Sequence, residues 1–121
     1  MHTIIDETVL LRYLLDDNKR QANEAAAVIA TGLAYTYPEI LARTAVTLRD
    51  VYAVPRETIG RALDAVLDEV KVGDEDIVRL ACRMFATSQL DFTDCMMLAR
   101  NTLRNCRLLS FSRGIAKRAL P

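Results

Sequence analysis

The stretch "TIIDETVLLRYLLDD", residues 3–17, decides how the chain is read. Thr3, Ile4 and Ile5 are β-branched and predict a short strand, which sets Asp6 at its carboxyl end. Immediately beyond, Val9, Leu10, Tyr13 and Leu14 recur at the three- and four-residue spacing of one helical face. A strand running straight into a helix is an α/β opening, and open parallel sheets bind ligands at the carboxyl ends of their strands. The carboxylates Asp6 and Glu7 stand at that junction, between two apolar runs. A carboxylate in such a place is costly unless it is paired or coordinated, so Asp6 is the first candidate functional residue.

Outward from this junction the chain reads mostly as helix. "KRQANEAAAVIATG" is an Ala-rich helix stopped by Gly32, and "YPEILARTAVTLRDVY" begins with Pro38 at a first helical position. "PRETIGRALDAVLDEV" repeats Ile59, Leu63, Val66 and Leu67 on one side, and Val70 to Val72 reads as a second strand. "GDEDIVRLACRMFATS" and "DFTDCMMLARNTLRN" follow as helices, the latter with Asp91 as N-cap. "CRLLSFS" predicts a last strand, ahead of a short basic helix "RGIAKRAL". Strands so far apart, joined by helices, predict a small parallel sheet with helices on both faces.

The 121 residues suit one domain, residues 1–121, with no linker or repeat to divide it. Sixteen Lys plus Arg balance sixteen Asp plus Glu, so nucleic-acid binding would need a local patch. Arg100, Arg104, Arg107, Arg113, Lys117 and Arg118 supply one in the last third of the chain, although solvated helix faces also carry arginines. Cys82, Cys95 and Cys106 form no CxxC pair; Cys82 and Cys95 fall on apolar helical faces and read as buried thiols, which points to a reducing, cytoplasmic setting. No leader or membrane span is expected, because Asp6 and Glu7 interrupt the first apolar stretch and no run approaches the ~18 residues a span requires. Leu11, Leu15 and Val28 exceed what one small core can face, which suggests an interface and a homodimer.

Asp6, Glu7, Asp91, Asp94 and the Ser110 to Ser112 segment would all meet at one crevice if the predicted strands and helices line up. Clustered carboxylates repel unless protons, cations or a metal neutralise them, and hard oxygens suit magnesium or manganese. Two such ions can activate water against a phosphodiester. Capping alone would also explain Asp91 or Asp94, which sit three apart at a helix start.

These residues resemble the PIN-domain family, in particular VapC-type toxin nucleases, almost from end to end. The family's opening "DTNVLLRYLLDD" is matched by "DETVLLRYLLDD", "LRDVYAVPRETIGRAL" is similar to its third and fourth helices, "DFTDCMMLA" to its late acidic motif and "LLSFSRG" to its closing "TFD" strand. The resemblance implies a three-layer α/β/α PIN-like fold with a small, mainly parallel sheet. It also implies an endoribonuclease holding Mg2+ or Mn2+ on four acids, with RNA as substrate and an antitoxin protein as partner.

Asp6 and Asp94 match two of those acids, with Asp91 a frequent neighbour; two positions depart, with Arg43 at the helical glutamate and Ser112 at the final aspartate. Thr8 replaces the usual asparagine of the opening motif. Arg43 is expected to pair with Asp6, Asp94 or both and stand in for the metal, because a guanidinium stays protonated and cannot activate water. Glu39, one turn before Arg43, either reaches the crevice through a register shift, or caps its helix beside Pro38 or pairs with Arg43 on the surface. Two functions follow: a nuclease weakened or lost through these replacements, and a non-catalytic module binding an antitoxin, RNA or itself.

Overall fold

The computed structural model describes residues 1–121. In chain order it contains β1 (Thr3–Ile4), α1 (Glu7–Leu15), α2 (Lys19–Ala30), β2 (Ala34–Thr36), α3 (Pro38–Asp50), α4 (Arg56–Val66), β3 (Lys71–Val72), α5 (Glu75–Thr87), α6 (Phe92–Leu103) and α7 (Arg113–Ala116). The fold is mixed α/β, and the three strands form one parallel sheet in the order β1-β2-β3. Thr3 lies opposite Ala34 and Thr36 opposite Val72. Because all three strands run the same way, α1, α3 and α5 start from the same sheet edge.

Local chemistry sets the helix limits. Asp6, in extended backbone, accepts from the first free amides of α1, and Asp16 ends that helix in the left-handed conformation at φ 51°. The Asn18 side chain caps α2 through the Gln21 N–H, and Gly32 at φ 75° turns the chain into β2, a conformation glycine adopts without steric cost. Pro38 opens α3 and Pro55 precedes α4.

The core is continuous across these elements. Ile5, Leu10 and Leu11 pack with Leu41, Ala45 and Leu48 of α3, and Ile59, Leu63, Ile77, Ala81, Phe85, Phe92 and Cys95 extend the same apolar body through α4, α5 and α6. Arg79 binds the α4–α5 pair from outside, reaching Asp64, Asp68 and Glu75 at 2.8–3.1 Å. Arg100 to Asp74 and Arg104 to Asp76, at 2.7 and 2.8 Å, join the end of α6 to the start of α5, so these two helices are antiparallel.

Three expectations change. Ala34 to Thr36, unread as a strand, forms the middle of the sheet: Ala34 and Thr36 are fully buried, and three residues are too few for periodicity to reveal them. The predicted strand in "CRLLSFS" is not a strand, because no neighbouring backbone pairs with it. Leu11 belongs to the core, and Leu15 and Val28 are half-buried against it, so one small core does accommodate all three.

Gly60 is where α4 and α5 come closest: a Cβ there would lie 2.5 Å from the Cys82 carbonyl oxygen and 2.6 Å from the Ala86 Cβ. Gly60→Ala should therefore lower stability by about 1–3 kcal/mol, the usual cost of overpacking. Urea unfolding checks this; an unshifted midpoint would show that the helices do not approach so closely.

Candidate functional site

Asp6 is positioned by the strand before it. Ile5 is buried, donates its N–H to the Tyr35 carbonyl at 2.9 Å, and accepts the buried Thr36 hydroxyl on its own carbonyl at 3.0 Å. The next side chain is thereby set at the sheet edge. One Asp6 oxygen, Oδ1, accepts the Thr8 hydroxyl at 2.6 Å and the Thr8 and Val9 amides at 3.0 and 3.2 Å. The Thr8 hydroxyl contributes most to lowering the carboxyl pKa; burial opposes it, and the Val9 and Thr8 amides add to the lowering. Thr8 is thus a partner of Asp6, and the acid caps its own helix.

Arg43 is not paired with Asp6 or Asp94, as expected from the sequence, but with Glu7, Nε to Oε2 at 3.4 Å. The other Glu7 oxygen accepts the Thr47 hydroxyl at 2.5 Å. Arg43 and Thr47 are one turn apart on α3, so both reach the same carboxylate. Arg43 remains largely in water, and the attraction is correspondingly screened. Glu39 is exposed and pairs with neither Arg43 nor another cation.

Asp91 contacts the other flank of the same helix, through Arg49 at 3.5 Å. Residues 47 and 49 point roughly 200° apart at about 100° per residue. The buried Thr44, Ala45 and Leu48 occupy the face between them. Glu7 and Asp91 consequently sit on opposite flanks of α3. The α5–α6 reversal also places the start of α6 about one helix length from the carboxyl end of β3, roughly 20 Å for the thirteen residues of α5.

Asp94, half-buried on α6, has its pKa raised by burial first and by the Asp91 charge second. Arg56, unremarked in the sequence, lies near this end: it stacks 3.9 Å above the Phe85 ring and donates to the Leu90 carbonyl. Burial and the charge of Arg49 lower its pKa. The placement of Arg49 and Arg56 was visible only as basic residues bracketing "DVYAVP".

Ser112 precedes α7, and its N–H donates to Ser110 Oγ at 3.1 Å; it forms no hydrogen bond or ion pair with Asp6 or Asp94. Of the basic C-terminal third, Arg100 and Arg104 are taken up by Asp74 and Asp76. Arg107, Arg113 and Lys117 stay exposed. Cys82 and Cys95 are buried, Cys82 with its thiol pKa pushed to about 12 by burial, whereas Cys106 is exposed. A magnesium or manganese ion needs several hard oxygens at once. No three His, Cys, Asp or Glu side chains converge on one point. As placed, the residues do not assemble the ligand set that the resemblance implies.

Compared with family models, curated proteins and solved structures, the chain matches none. No helix is long and apolar enough to cross a membrane.

The two aspartates should respond oppositely to substitution. Asp6→Ala removes a cap and should cost about 1 kcal/mol, whereas Asp6→Asn, itself a good cap, should cost only a few tenths. Because the Asp6 pKa is lowered on folding, its contribution is complete above the ordinary carboxylate range and lost as pH falls through its folded value. Equal losses in the two variants would refute the capping role.

Asp94 is raised on folding, so its ionisation destabilises the native state as pH climbs from the ordinary carboxylate value through the folded one. Asp94→Asn should therefore stabilise the protein at about pH 7 and give no gain below about pH 3. Thermal melts across that range decide it; a gain that persists in acid would mean the carboxyl is not destabilised by ionising.

Proposed function

We propose that this chain is a PIN-like module of the VapC toxin type, three-layered and cytoplasmic, whose nuclease chemistry is weakened or lost. The observation that supports it is the state of its acids. Glu7 is held by Thr47 and Arg43, Asp91 by Arg49, and Asp6 by its own helix. Arginine charge has replaced part of the demand for a cation, and a guanidinium supplies no nucleophile. By resemblance, Asp6 and Asp94, with Asp91 near Asp94 in sequence, are the positions that would have held magnesium or manganese in an active relative, although the fold does not bring them together.

Such a module retains its surface for binding. RNA and an antitoxin protein are the partners the lineage suggests, and exposed Arg107, Arg113 and Lys117 are suited to phosphates.

The test is incubation of purified protein with structured RNA and manganese, with and without chelator, beside Asp6→Asn and the double variant Arg43→Glu, Ser112→Asp. The expected result is no chelator-sensitive cleavage by the native chain. Cleavage that requires the metal and disappears in Asp6→Asn would overturn the proposal, since that variant keeps the helix cap.

A further inference from the structure

A cleft of about 710 Å³ opens between the end of α1, the last turn of α2 and the chain that leads from α4 into β3. Gly32 precedes β2 and Lys71 begins β3, so the cleft lies at the amino end of the sheet, away from Asp6. Its volume falls within the roughly 300–1,000 Å³ of small-molecule sites. The apolar lining comes from Ala26, Ile29 and Ala30 of α2 and from Leu67 and Val70 beyond α4. Ala26 and Ala30 are exposed and one turn apart, which leaves that wall open to a ligand.

The charges around the cleft are unevenly compensated. Asp68 and Glu75 are both held by Arg79. Glu69 has no cationic partner: its Oε2 accepts the Tyr13 hydroxyl at 2.5 Å, a neutral donor, and its Oε1 accepts nothing. The Tyr13 phenol has its pKa raised, by that hydrogen bond first and then by burial and the Glu69 charge. Two helix ends add to the negative field. α2 and α4 both finish at the cleft, and neither carries a basic residue in its last turn, whereas Arg12, Arg49 and Arg100 occupy the last turns of α1, α3 and α6. Lys71 stands at the rim, but its side chain is exposed and engages no carboxylate.

We infer that this cleft binds a small organic cation, a primary ammonium group carried on an apolar stem. The ammonium donates to Glu69 Oε1 and to the Tyr13 phenolic oxygen, and the stem lies against the methyl groups of Ala26 and Ala30. A charge-assisted hydrogen bond fixes one end of the ligand, and apolar contact holds the other. Both acceptors call for N–H donors, which a quaternary ammonium lacks. The inference is independent of the nuclease reading, because none of the acids in that reading borders the cleft.

Titration of isotope-labelled protein, followed through its amide chemical shifts, tests it with three probes that share a stem and differ in charge: hexylammonium, hexanol and hexanoate. Saturable shifts around Tyr13, Ala26 to Gly32 and residues 67–71 are expected with hexylammonium, with binding about tenfold weaker for hexanol and none for hexanoate. Glu69→Gln keeps an acceptor for Tyr13 and removes the charge, so it should weaken hexylammonium binding about tenfold. Ala30→Trp fills the cleft from an exposed helix position and should abolish binding with an unchanged circular dichroism spectrum. No saturation with hexylammonium, equal affinity for the three probes, a preference for hexanoate, or binding unaltered by either substitution would each overturn the inference.

Discussion

The junction between Ile5 and Asp6 is the constraint on which the rest is built. Ile5 is buried and bonded through both backbone groups, its N–H to Tyr35 and its carbonyl to the Thr36 hydroxyl. One residue later, Asp6 supplies the acceptor that the first amides of α1 lack. A strand of two residues has little pairing energy of its own, so its position is owed to core burial of Ile5 and to the helix that starts at once. Thr36 matters for the same reason: a hydroxyl in a fully buried site, used to satisfy the carbonyl of the neighbouring strand.

From that junction α3 distributes the charge. Its buried stripe of Leu41, Thr44, Ala45 and Leu48 faces the core, leaving one flank to Arg43 and Thr47 and the other to Arg49. Glu7 is drawn to the first flank and Asp91 to the second. A helix inserted between two acidic groups prevents them from sharing one cation, whatever their separation in sequence. The electrostatics are then local: Glu7 and Asp91 are balanced by arginines on α3 and Asp6 by helix amides, and of these acids Asp94 alone has its ionisation opposed by burial and a neighbouring charge.

Much of the fold could be read from the sequence because long helices repeat their apolar residues often enough to be recognised. Ile59, Leu63 and Val66 lie where helical spacing puts them, and Asp6 falls at the strand end as its β-branched neighbours require. Short strands offer no such repetition. β2 was hidden in "AYT", although Gly32 before it and Pro38 after it bracket the interval, and "CRLLSFS" has the composition of a strand without a partner to make it one. The site was less legible. Arg43 could be recognised as a cation in an acidic neighbourhood, but its choice of Glu7 over Asp6 depends on which flank of α3 it occupies, a matter of helix rotation that linear spacing does not determine.

The division between core and sheet also explains how such a site could change without loss of the fold. The apolar body runs from Leu41 through Phe85 to Ala99 and is carried mainly by α3, α4, α5 and α6, with Arg79 binding two of them externally. The acids lie outside it, on the first turns of α1 and α6, where their structural work is limited to capping and exposed pairing worth little each. Under the proposed reading the replaced positions are Arg43 on α3 and Ser112 before α7; both are exposed, so arginine or serine there leaves the buried surface intact, and an arginine that finds a carboxylate offsets the charge it introduces. If the proposed nuclease lineage holds, selection for chemistry relaxed while the packing that keeps the chain folded stayed the same; Asp6 would persist either way, because the helix it starts needs the acceptor.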